Sequence, residues 1–145
     1  MNEGSQRENP YSPSYLGRTN SNKLYSFLRG KQPELVVETG VCNGLSTATI
    51  LKAMHDNENG RLFSVDLPRT TEDQSRSAVI PAGESPGWAV PDSLKGRWEF
   101  REGDSIYRTP EILKKLHDQD RQIDLFLHDS EHSFEVMMIE FSLAW

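Results

Sequence analysis

Four carboxylates stand at or just after the ends of short strand-like segments: Glu38, Asp66, Asp104 and Asp129. Glu38 closes the β-branched run Leu35-Val36-Val37 and is followed at once by Gly40, Cys42 and Gly44. Strand, glycine turn and helix in that order hold a nucleotide-like cofactor in many α/β proteins. The glycines fit a G-x-G-x-x-G pyrophosphate loop poorly, because Cys42 stands between them. A carboxylate before the turn repels a pyrophosphate but suits a cationic or hydroxyl-bearing ligand. The competing reading is conformational, with glycine needed only for its backbone freedom.

Asp66 lies 22 residues after Gly44, at the end of a second apolar run. A carboxylate there accepts hydrogen bonds from both hydroxyls of a ribose; the alternative is a cap on the next turn. Gly103-Asp104-Ser105 follows a third run, where Asp104 either accepts from the exocyclic amine of an adenine or forms a turn. Asp129 ends a fourth run, and His132 follows three residues later. Asp129 is suited to bind a divalent metal or to orient a substrate hydroxyl, and His132 to take that hydroxyl's proton. Against this stand an N-cap role for Asp129 or Ser130 and a solvated His132.

His128 and His132 have H-x3-H spacing but straddle a strand end and a turn, which argues against zinc. Cys42 is the only cysteine, so no internal disulfide forms.

Alternating elements position these residues. Residues 1–20 carry no period and read as a flexible arm. Leu24, Phe27 and Leu28 predict a short helix over 21–30 that stops at Gly30. Strands are expected at 34–39, 61–66, 98–102 and 123–128, with a helix over 46–56 after the first. Thr109-Pro110-Glu111 reads as N-cap, first-position proline and first-turn carboxylate of a helix. Phe134, Met138, Phe141 and Trp145 form one stripe of a helix over 132–145. Prolines and glycines break the rhythm in an insert over 67–97, and so long an irregular stretch in a compact domain is usually functional or mobile. The resulting order predicts an α/β fold: a Rossmann-like, doubly wound parallel sheet of about four strands.

The chain has 145 residues, enough for one domain, and a net charge of −6. No basic run supports a nucleic-acid partner, and no apolar run reaches the length of a membrane span. The N-terminus lacks the apolar core of a secretory signal, and a cytoplasmic location is expected.

These motifs resemble those of the class I S-adenosylmethionine-dependent methyltransferases, within them the small-molecule O-methyltransferase-like group. The strand-four signature of that group, D-L-x-x-x-D-x-x-H-x-[FY]-E, is met by Asp124-Leu125, Asp129, His132, Phe134 and Glu135. The loop from Val37 through Gly40, Gly44, Ser46 and Thr47 resembles the first motif, Phe63-Ser64-Val65-Asp66 the second and Gly103-Asp104-Ser105 the third. The resemblance covers residues 21–145. It implies that Glu38, Gly40 and Gly44 face the amino-acid part of S-adenosyl-L-methionine, Asp66 the ribose, and Asp104 with Ser105 the adenine; Ser46 is also expected to bind the cofactor. In metal-dependent relatives the residue matching Asp129 is a metal ligand, and Asp129 and His132 are the residues expected to be catalytic. The group's sheet has seven strands, so residues 21–145 read as a partial domain and the chain as a fragment.

The activity expected is methyl transfer to a hydroxyl of a small molecule. Two alternatives stand beside it: a truncated, non-catalytic cofactor-binding fragment and a nicotinamide-dependent oxidoreductase. The expected partner is a small-molecule acceptor, with neither nucleic acid nor membrane; a homo-oligomer is compatible with the sequence.

Overall fold

A computed structural model describes residues 18–67, 80–81 and 83–145. Helix α1 (Arg18–Lys31) precedes strand β1 (Leu35–Thr39), helix α2 (Leu45–Asp56) and strand β2 (Arg61–Asp66). A 3-10 helix (Asp92–Arg97) leads into β3 (Trp98–Glu102), followed by α3 (Ser105–His117), β4 (Leu125–His128) and α4 (Phe134–Ala144). The four strands form one parallel sheet in the order β3-β2-β1-β4.

That order places a reversal at β1. The chain moves outward through β2 and β3, then α3 carries it back to the far side of β1. The crevice between β1 and β4 is therefore the topological switch point, where ligands settle in open α/β sheets.

Alternation along β1 sends side chains into two cores. Val36 packs on the α1/α2 face with Leu28, Ile50, Leu51, Met54 and Leu62. Leu35 and Val37 pack on the other face with Phe63, Val65, Ile112 and Leu116. All five residues of β1 are buried, as expected of a central parallel strand. Asp124 ties β4's approach to β1, because its Oδ2 accepts from the amides of Glu34 and Leu35 at 2.8 and 2.9 Å.

Several boundaries depart from expectation: β4 begins at Leu125 and not at 123, and α4 spans Phe134–Ala144 and not 132–145. Helix α1 takes in residues 18–20 of the expected arm, whose residues 1–17 lie outside the described residues. It also runs past Gly30 to Lys31, and Gln32 takes the left-handed position (φ 51°) with its amide bonded to the Leu28 carbonyl. Helix α3 starts at Ser105 and not after Thr109: Asp104 is the N-cap, accepting from the Ile106 amide at 2.9 Å, and Pro110 lies inside the helix. Pro110 removes one helical hydrogen bond, and the capped turn ahead of it sustains the helix despite that loss. Residues 68–79 and 82 of the expected insert lie outside the described residues; among the others, Val90 is buried in the α1/α2-side core. No helix among the described residues is long and apolar enough to cross a membrane.

Candidate functional site

The glycine turn lies at the carboxyl end of β1, and each of its glycines answers a close approach. Gly40 has φ +85°, and a Cβ there would overlap the Asp129 carbonyl. Gly44 has φ +93°, and a Cβ there would press on Val90 and on the backbone of Gly87. Cys42 between them is also left-handed, at φ 49°. The turn is fastened from two sides. Asp66 Oδ2 accepts from the amides of Val41 (3.1 Å) and Cys42 (2.7 Å). The carbonyls of Cys42 and Asn43 accept from the amides of Gly87 and Ala89. The insert thus contributes a wall to the turn, with Trp88 half exposed between the two anchoring amides.

Glu38 sits beneath the turn and is completely buried. Its Oε2 accepts from Thr47 Oγ1 at 2.7 Å and Ser64 Oγ at 2.8 Å, joining α2 and β2 to β1. Its Oε1 is buried without a hydrogen-bond partner. Burial pushes its carboxyl up to about 7, against the Ser46, Thr47 and Ser64 hydroxyls that favour the charge; the Asp129 carboxylate adds to the rise. Asp129, at the end of β4, is also pushed up, first by burial and further by Asp66, while His132 and His128 oppose the rise. The Asp129 carboxylate therefore lies within electrostatic reach of both Glu38 and Asp66, across the ends of β4, β1 and β2.

Asp104 is exposed and spends one oxygen on its helix cap. Ser105 donates its hydroxyl to Glu140. His132 is largely exposed, its Nε2 3.9 Å from Asp129 Oδ1, too long for a hydrogen bond. Its ring meets that of His128 edge-on at 5.4 Å. Among the described residues no three His, Cys, Asp or Glu side chains gather as a metal site.

Two features escaped the sequence reading. One is the pairing of Gly87 and Ala89 with the turn, which no local pattern marks. The other is Glu140, buried in α4 and bonded to Thr39, Ser105, His128 and Ser130. Its signal was available: a lone charge inside Val136-Met137-Met138-Ile139-Glu140-Phe141 is seldom buried unless paired.

Comparison with known proteins agrees with this fold. No curated protein matches the chain by sequence. A cofactor-bound structure of Rv0187 from MTB is similar at TM-score 0.60 and 16% identity, over 94% of this chain and 56% of that one. An O-methyltransferase from Bacillus cereus in complex with SAH is similar at TM-score 0.57 and 16% identity, over 88% and 52%. The calicheamicin methyltransferase CalS11 is similar at TM-score 0.56 and 19% identity, over 89% and 61%. The chain thus spans little more than half the length of the solved structures it resembles, and shares their α/β, Rossmann-like fold. The model of the methyltransferase domain family matches residues 37–145, from β1 through α4, and the chain belongs to that family.

Proposed function

We propose that this chain forms the cofactor cradle of an S-adenosylmethionine-dependent methyltransferase acting on a hydroxyl of a small molecule. One observation carries the reading: the carboxylates of Glu38, Asp66 and Asp129 close three neighbouring strand ends at the glycine turn, with Asp66 bonded to the turn's amides and the Asp129 backbone against Gly40. Such a cradle favours a cation and disfavours a pyrophosphate. The SAH complex of the Bacillus cereus neighbour supports the same cofactor class.

In this reading Gly40, Gly44 and Ser46 line the floor, and Glu38 lies below it, where a bound cation would favour its charged form. Asp66 keeps Oδ1 for the ribose hydroxyls, since the turn engages Oδ2. Asp104 and Ser105 border the adenine end. When bound, the cofactor supplies a methyl group already activated by its sulfonium, so the protein's task is chiefly alignment. Asp129 orients the acceptor hydroxyl, and the exposed imidazole of His132 takes its proton.

Calorimetric titration with SAH tests the reading. The parent should bind, and Glu38→Gln and Asp66→Asn should each weaken binding by about tenfold through loss of a charged partner. Equal affinity in all three would remove the site assignment. NAD+ serves as the control and should give no binding heat. Methyl transfer to small alcohols and phenols, with amines and thiols as comparison, tests the acceptor class.

A further inference from the structure

One carboxylate outside the cradle is bonded into several of its walls. Glu140 projects from the middle of α4 and is completely buried. Its Oε2 accepts from Thr39 Oγ1 at 2.6 Å and pairs with His128 Nδ1 at 2.6 Å. Its Oε1 accepts from Ser130 Oγ at 2.7 Å and from Ser105 Oγ.

The partners are not scattered. Thr39 immediately precedes Gly40, Ser105 follows Asp104, and His128 and Ser130 flank Asp129. A single side chain therefore links the end of β1, the end of β4 and the start of α3. Each linked residue is, or adjoins, a group assigned above to the cofactor or the acceptor. An apolar side chain would pack here without the desolvation that a buried carboxylate suffers. What the carboxylate adds over packing is fixed distance and direction to four donors.

We propose that Glu140 is a positioning residue for the methyl-transfer site, holding the glycine turn, the α3 start and the Asp129 loop in one arrangement. It acts through Thr39, Ser105, His128 and Ser130 and touches neither cofactor nor acceptor. The proposal rests on the cofactor reading given above.

The test titrates three proteins with SAH well below their melting temperatures: the parent, Glu140→Gln and the double variant Thr39→Val with Ser130→Ala. Near-UV circular dichroism establishes that each is folded. Glu140→Gln keeps the shape and loses the charge. It should retain a native spectrum and bind SAH about tenfold more weakly than the parent, the usual range for lost outer-shell support. The double variant keeps Glu140, His128 and Ser105 and should fall between the two. A merely structural role would lower the melting temperature and leave the affinity alone. A native Glu140→Gln that binds SAH within about twofold of the parent overturns the proposal. If Glu140→Gln fails to fold, the double variant is judged by the same criterion. A parent that does not bind SAH overturns the cofactor reading and this proposal together, whereas a loss-free Glu140→Gln overturns this proposal alone.

Discussion

The Nδ1 atom of His128 lies 2.6 Å from Oε2 of Glu140, with side-chain exposures of 5% and 0%. The pair fastens the end of β4 to α4. Burial alone would raise the Glu140 carboxyl, but the hydrogen bonds from Ser105, Thr39, His128 and Ser130 outweigh it and hold the pKa below its ordinary value. A carboxylate lowered in this way stabilises the fold at neutral pH. That contribution disappears as pH falls through its depressed folded-state pKa. His128→Leu keeps the ring's contact with Phe141 approximately filled and removes one donor from the carboxylate. Urea unfolding at pH 7 should show a loss of about 2–3 kcal/mol, the worth of a hydrogen bond to a buried charge. The difference between variant and parent should shrink once acid has protonated Glu140.

Glu38 titrates with the opposite sign. Its carboxyl rises from 4.5 to about 7 in the folded chain, with burial the largest cause. The neutral form is favoured by folding, so stability from this group is full below the unfolded value and falls as pH rises through about 7. Glu38→Gln retains an oxygen for Thr47 and Ser64 and carries no charge. It should match the parent near pH 4 and exceed it at pH 8 by up to about 3 kcal/mol. Chemical denaturation at the two pH values measures this. An equal pH slope in both proteins would remove Glu38 as the titrating group.

Much of the frame was legible because its signals are local. Strand β2 runs over 61–66 as expected, bounded by Asn59-Gly60 ahead of it, and β3 runs over 98–102, closed by Gly103. The start of α3 was misplaced because Pro110 looks like a first-position proline. Asp104-Ser105 had already capped the helix five residues earlier. Glu38 and Asp66 were legible as strand-end carboxylates, but not that Asp66 would bind the turn's amides or that Glu38 would lie under it. Those facts depend on which strand lies beside β1. Glu140 was harder still, since its four donors come from β1, the start of α3, β4 and the loop that follows β4.

The glycines separate into required and permissive positions. Gly40→Ala would force a side chain into the left-handed region and onto the Asp129 backbone. It should cost about 2–4 kcal/mol of stability, since the obstructing atoms belong to the main chain and cannot step aside. SAH binding should fall with it. Gly30 lies within α1 and has nothing within 4 Å of a built Cβ. Gly30→Ala should therefore stabilise by about 0.5–1 kcal/mol through helix propensity. Thermal melting of the two variants should move in opposite directions from the parent.

Apolar size alone does not predict cost in α4. Phe134 is 73% exposed at the start of that helix, whereas Ile50 in α2 is 0% exposed. Phe134 has little water-excluded contact to lose, so Phe134→Ser should change stability by no more than about 0.5 kcal/mol. Ile50→Ala removes methyl groups from the core between α1, α2 and the sheet. It leaves a cavity that the strands cannot close, and should cost about 2–5 kcal/mol. Urea midpoints at pH 7 compare the two directly. A large loss on Phe134→Ser would mean that the residue is covered in solution, and would place a contact on the face of α4 that also carries Met138 and Phe141.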